Sequence, residues 1–248
     1  MPDKKLKLLR SEEIASGTRA FHLSRPEGFE YESGQTIDLY LIDPPEMDAE
    51  GPVRTFSLVS APFEHELEFA TRMRDTAFKR FLKQAEPGTE LTWDGPYGSF
   101  LLHKNAERPA VFLAGGIGIT PFMSMIKTAE HNKLGHEIYL FHSNHTPEDA
   151  PFQRELWEHT KKNPKFRFIP TMTDLKTPII PKDEEGGGEW DGERGFVDQN
   201  MIERYVSDLY TPIYYMAGPA AFVTAMRKML VEAKVDEDNI RFEEFPGY

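Results

Sequence analysis

Between Lys4 and about Trp93, hydrophobic and polar residues alternate with a period of two in short runs: Lys5–Leu9, Thr18–Leu23, Thr36–Ile42, Arg54–Val59 and Glu66–Arg72. Proline, glycine and aspartate turns separate these runs, a pattern that predicts a small antiparallel β-barrel. One segment departs from it. Phe78, Phe81, Leu82 and Ala85 share a helical face, with Asp75 or Thr76 as N-cap and Pro87-Gly88 as the stop. Beyond His103 the texture changes. Apolar strands over Ala110–Ala114, Glu137–His142, Phe166–Pro170 and Ile213–Met216 alternate with helices near Pro121–Glu130, near Ala150–Thr160 and from Pro219 to about Leu230. That alternation predicts a parallel sheet with helices on both faces. The polar connector His103–Pro109 divides the chain into a barrel over residues 1–104 and an α/β domain over residues 105–248.

Composition narrows the function more than the fold. A formal charge of −12 with 39% hydrophobic residues suits a globular protein and argues against nucleic-acid binding. No run approaches membrane-spanning length and the N-terminus lacks an apolar signal core, so a cytoplasmic protein, monomeric or weakly oligomeric, is expected. With no cysteine there is no disulfide, no thiolate zinc site and no cysteine-ligated iron–sulfur cluster in this chain. Thr173–Gly195 is acidic and rich in glycine and proline, and reads as a mobile surface loop rather than a metal site. No metal ligands are expected.

Four short motifs carry candidate chemistry. In Val111–Met123 an apolar strand breaks at Gly115, Gly116 and Gly118 and leads through Thr120-Pro121 into a helix, so the backbone can bend and its amides can face an anion. The spacing Gly116-x-Gly118-x-x-Pro121 is a relative of the dinucleotide fingerprint, with proline where the third glycine would be. A plain strand-to-helix turn is the alternative. In Arg54-Thr55-Phe56-Ser57, alternation sets a cation and a ring on one face and two hydroxyls on the other; a barrel strand with Phe56 in the core is the alternative. Arg72, Arg74 and Lys79 flank the helix beginning near Thr76, next to a second tight turn at Gly95–Phe100. Ala217-Gly218-Pro219 forms another strand-to-helix turn at the carboxyl end of a strand.

In this order the motifs resemble those of the ferredoxin–NADP reductase superfamily, especially its compact bacterial flavin-dependent reductases. Arg54–Ser57 looks like the family's Arg-x-Tyr/Phe-Ser flavin motif, Gly95–Phe100 like its Gly-x-x-Gly-x-Phe turn, Leu113–Pro121 like its nucleotide pyrophosphate loop, and Ala217–Pro219 like its Cys-Gly-Pro. The resemblance runs from about Lys4 to Tyr248. It implies a Greek-key flavin barrel, a nucleotide-binding α/β domain, and the cofactors FAD and NADP or NAD.

By that resemblance Arg54 would bind the flavin phosphates with Thr55 beside it, Phe56 would lie against the isoalloxazine or its ribityl chain, and Ser57 would hydrogen-bond near the reactive nitrogen. Thr71, Arg72, Met73 and Arg74, with Thr76, Ala77, Phe78 and Lys79, would line the rest of FAD. Gly116, Ile117, Gly118, Thr120 and Pro121 would hold the nucleotide pyrophosphate, and Ala217, Gly218 and Pro219 would border the nicotinamide. Ser143, Asn144 and His145 stand where the family reads the adenosine ribose; with no arginine there, they favour NADPH only slightly. Phe245 or Tyr248 would cover the flavin ring, the alternative being a strand over Ile240–Phe245 that finishes the sheet. Ala217 departs from the family's cysteine and Phe56 from the commoner tyrosine.

With no cysteine here to ligate an iron–sulfur cluster, the resemblance implies an external electron acceptor: ferredoxin, flavodoxin, an oxygenase component, or a small molecule such as free flavin, ferric chelate or quinone. The cations at 72, 74, 79, 80 and 83 form a basic island that would steer an acidic carrier. A non-enzymatic nucleotide-binding regulatory subunit on the same fold is the competing reading.

Overall fold

The computed structural model describes residues 4–174 and 192–245, so Tyr248 and most of the acidic 173–195 segment lie outside the described residues. It divides into two compact units. The first comprises residues up to Leu102 together with Thr120–Thr128, and the second His103–Ile119 together with Ala129 onward.

In the first unit, alternation produces the expected antiparallel strands. β1 (Lys5–Ala15), β2 (Thr18–Ser24), β3 (Thr36–Leu41), β4 (Val53–Ser57), β5 (Glu66–Arg72) and β6 (Glu90–Tyr97) run in the order β4-β3-β6-β1-β2-β5. In β3, for instance, Ile37, Leu39 and Leu41 are buried while Asp38 and Tyr40 are half-buried. The sheet curls closed where the amides of Val59 and Ser60, just past β4, donate to the Glu68 carbonyl in β5 at 2.7 and 3.4 Å. β6 then returns beside β3, completing a Greek key over β3 to β6. The exceptional helix is α1 (Ala77–Gln84), capped by Thr76 and not Asp75: the Thr76 hydroxyl accepts the Lys79 amide at 3.3 Å. Its apolar face drives Phe78 and Leu82 into the barrel core, a burial that contributes about 1.5–3 kcal/mol for each side chain.

The second unit is a parallel sheet in the order β10-β9-β8-β7-β11-β12. Its strands are β7 (Ala110–Gly115), β8 (Ile138–Asn144), β9 (Phe166–Met172), β10 (Glu193–Arg194), β11 (Ile213–Gly218) and β12 (Ile240–Glu244). Its helices are α3 (Gln153–Lys162), α4 (Gln199–Tyr205) and α5 (Ala220–Glu232), while α2 (Thr120–His131) belongs to the first unit as far as Thr128. β7, β8 and β11 are almost entirely buried, as both-face coverage demands. The helix expected from Ala150 starts later, because Phe152 is buried in a left-handed conformation (φ 60°) that a continuous helix cannot hold. No helix among the described residues is long and apolar enough to cross a membrane. Among the same residues no cluster of three or more His, Cys, Asp or Glu could hold a metal ion.

Candidate cofactor sites

At one corner of the first unit, β4 brings Arg54 to the N-terminus of α1. The guanidinium lies over the Phe78 ring, 5.4 Å from its centre. Lys79 is buried and donates through Nζ to the Arg72 carbonyl at 2.7 Å. Burial first, then the neighbouring Arg74 and Arg54, push its ammonium down to about 8. Cations gathered this closely call for an anion. The one present is internal: Asp48 Oδ2 accepts the Ala77 amide, the first of the helix, at 3.0 Å, and Asp48 Oδ1 pairs with Arg54 Nη2 at 3.2 Å. Glu50 reaches the same nitrogen at 2.6 Å. Desolvation raises the Asp48 carboxyl, but the bonds from Arg54 and Ala77 outweigh it and hold the group below the usual carboxylate range. A phosphate presents the same chemistry as these carboxylates, so the corner suits a phosphate-bearing cofactor.

The other expected residues of this unit divide between surface and core. Thr55 is exposed and donates to Asp38 Oδ1 at 2.5 Å, while Ser57 is buried and pairs in register with Thr36. Phe56 takes the core alternative: only 7% exposed, its ring packs 4.4 Å from that of Phe69 and 5.9 Å from that of Phe78. Thr71 is wholly buried, Met73 packs on the barrel core, and Arg74 is exposed. The basic island contracts, because Lys79 is buried and Arg80 is held by Glu46 at 2.6 Å and by Asp75.

In the second unit, β7 is the switch point of the sheet: the chain builds outward to β8 and β9 on one side and later places β11 on the other. Open parallel sheets bind ligands outside the carboxyl ends of such strands. Here those ends carry Gly115-Gly116 and Gly218, both turns singled out by the sequence. The glycines serve different purposes, however. A Cβ on Gly115 would meet the Phe222 ring at 2.8 Å, and one on Gly118 would lie 2.1 Å from the Ala217 carbonyl oxygen, so these two glycines allow protein to pack on protein. Gly116 alone combines a left-handed backbone (φ 54°) with open space beside it and partial exposure. Ile117, Gly118, Thr120 and Pro121 are buried. Ala217 is buried too, so it supports the turn through its size and not as an exposed contact.

β8 ends beside this turn. The fully buried His142 ring bonds through Nε2 to the Gly116 carbonyl at 2.9 Å, which makes Nε2 the protonated nitrogen. Burial pushes its pKa down to about 4, so the ring is neutral at ordinary pH. Two residues on, Asn144 is buried with neither amide atom partnered among the described residues, the state of a group kept for a ligand or a water. Ser143 is half-buried, and the exposed His145 bonds Thr173 Oγ1 at 3.1 Å. On the other flank, the Phe245 amide donates to the Gly218 carbonyl at 3.0 Å, extending the β11–β12 pairing.

Two residues of these sites escaped the sequence reading. Asp48 comes from a loop 29 positions before Ala77, and only the alternating acids Glu46, Asp48 and Glu50 hinted at it. His142 had a clearer signal, as the one histidine in the apolar run Ile138–His142.

Comparison with known proteins agrees with this architecture. Residues 112–228 match the model of the oxidoreductase NAD-binding domain family. The glycine betaine monooxygenase reductase subunit of Chromohalobacter salexigens is 27% identical over 231 residues, covering 92% of this chain and 60% of that protein. The chain spans between 40% and 65% of the length of the first curated relatives it matches. Among solved structures, the Amycolatopsis cytochrome P450 reductase GcoB superposes with a TM-score of 0.80 at 24% identity, over 98% of this chain and 70% of that one. A ferredoxin NADP+ reductase from Neisseria gonorrhoeae, solved with bound FAD and NADP, superposes with a TM-score of 0.78 at 21% identity, over 97% and 98%.

Proposed function

We propose that this chain is a reductase of the ferredoxin–NADP reductase type, an FAD-dependent NAD(P)H oxidoreductase delivering electrons to an external acceptor; its NAD-binding-domain match and its likeness to reductase relatives support that reading. Residues 1–104 form its flavin domain and residues 105–248 its nucleotide domain. The observation that carries this reading is the anion corner of the first unit, where Arg54 and the first amide of α1 converge on the Asp48 carboxylate, which a cofactor phosphate can replace, with the buried Lys79 ammonium among the neighbouring charges. The switch-point turn at Gly116, with the unpartnered amide of Asn144 nearby, supports the nucleotide side.

When bound, FAD would supply the redox chemistry, accepting hydride from NAD(P)H and releasing electrons singly or in pairs. The chain's part is to bind and orient. Arg54, Ala77 and Lys79 hold the flavin phosphates, with Thr55, Arg72, Met73, Arg74, Thr76 and Phe78 around them. Ser57 would hydrogen-bond near the reactive nitrogen. Gly116 and its neighbours hold the nucleotide pyrophosphate, Ser143, Asn144 and His145 meet the adenosine ribose, and Gly218-Pro219 border the nicotinamide. Phe245, bonded through its amide to Gly218 at the edge of that turn, would cover the flavin ring.

The relatives include reductase and electron-transfer components of oxygenase systems, which favours a protein acceptor, ferredoxin-like or flavodoxin-like, over a small molecule. Anaerobic titration of the purified yellow protein with NADPH and with NADH tests flavin, hydride transfer and nucleotide preference together. Bleaching of the flavin bands supports the reading. A colourless protein that ignores added FAD, or a flavin indifferent to both nucleotides, sinks it.

A further inference from the structure

We propose that His142 is a positioning residue for the nicotinamide nucleotide: its ring N–H pins the Gly116 carbonyl inward and thereby sets the orientation of the Gly116–Ile117 peptide at the anion-binding turn. This rests on the nucleotide-binding reading above and adds to it the device that holds the turn in its binding form.

The argument starts from peptide geometry. A trans peptide is planar, with its C=O and N–H pointing in opposite directions. The Gly116 carbonyl points to His142 Nε2 at 2.9 Å, so the N–H of the same peptide points away from that ring. Rotating this peptide by half a turn would aim the carbonyl dipole where the amide now points, and a negative dipole there repels phosphate. Gly116 lies at φ 54° with open space at its absent Cβ, and glycine moves between conformations at little cost, so this residue's own backbone does not fix the peptide. The bond from His142 favours one orientation.

The donor is suited to the task. His142 is 0% exposed, lies on β8 between β7 and β9, and has the Phe168 ring 6.4 Å away. A buried neutral imidazole with its proton on Nε2 is a fixed donor, and the same strand places Asn144 at the edge of the same turn. The ring itself is not required to touch the nucleotide.

The test uses the full chain loaded with FAD and compares wild type with His142→Phe, which keeps a ring but lacks the donor, and with His142→Gln, which carries an N–H at about the reach of Nε2. Loss of one hydrogen bond that biases a binding conformation predicts a Kd for NADPH or NADH raised about three- to tenfold in His142→Phe. The flavin spectrum and kcat at saturating nucleotide should not change, and His142→Gln should recover most of the affinity. Hydrogen exchange of the 115–119 amides, read without nucleotide, should be faster in His142→Phe than in wild type or His142→Gln. Equal affinities and equal exchange in all three proteins would overturn the proposal. So would a His142→Gln protein as impaired as His142→Phe despite an unchanged melting temperature. A wild type that binds neither nucleotide would defeat the functional reading instead, and the exchange measurement would still decide the role of His142.

Discussion

Asp48 holds Arg54 at 3.2 Å with one carboxylate oxygen while the other accepts the first amide of α1 at 3.0 Å. Both donors are ones a flavin phosphate would use, and an amide N–H given to Asp48 cannot also be given to phosphate. Asp48→Asn should therefore tighten FAD binding about three- to tenfold while lowering the melting temperature of the cofactor-free protein, since a helix-end acceptor is weakened. Opposite signs in the two measurements are the signature. Weaker FAD binding in the variant would show that Asp48 assists the cofactor instead of competing with it.

Lys79 supplies a pH dependence. Its pKa is lowered to about 8 in the fold, so between that pH and the ordinary lysine value the unfolded chain holds the extra proton. Stability of the cofactor-free protein should accordingly rise with pH across that window. A bound phosphate beside Lys79 favours its charged form, so FAD binding should take up a proton and weaken as pH climbs above about 8. Isothermal titration in buffers of different ionisation enthalpy would detect the uptake, and Lys79→Met should abolish it.

The glycines of the switch-point turn should respond unequally to alanine. Gly118→Ala forces a Cβ against the Ala217 backbone oxygen and should cost about 3 kcal/mol in urea unfolding, near the upper end for overpacking. Gly116→Ala meets no neighbour but strains a left-handed backbone, a cost of about 1 kcal/mol. Equal losses in the two variants would contradict these separate causes.

Phe245, tied through its amide to Gly218, should act on the nicotinamide and not on flavin retention. Phe245→Ala is expected to change NAD(P)H affinity and flavin fluorescence with FAD content unaltered. If both stay at wild-type values, the ring has no part in covering the flavin.

Much of this was legible in the chain because its signals are local. Period-two alternation in 36–42 and 66–72, the helical face of Phe78 and Leu82, and the apolar run into Gly115-Gly116 each depend on neighbours a few positions apart. Local chemistry also ended the choice between Asp75 and Thr76 as cap, through the bond to Lys79. What escaped is long-range or conformational. Nothing near Phe152 announces its left-handed backbone, and nothing near Asp48 announces a helix end 29 residues away. Phe56 shows a third limit: alternation correctly places it on the inner face, but whether an inner ring meets a cofactor or other rings depends on Phe69 and Phe78.

Gly118 and Ala217 come from strand ends more than ninety residues apart, yet no atom fits between the first and the carbonyl of the second. Anyone transplanting a pyrophosphate loop into this scaffold, to alter coenzyme preference for example, would be replacing half of an interlocked part. The workable unit of exchange is the pair of turns together, and a chimaera that carries 115–121 without 217–219 should fail in folding before it could be assayed for preference.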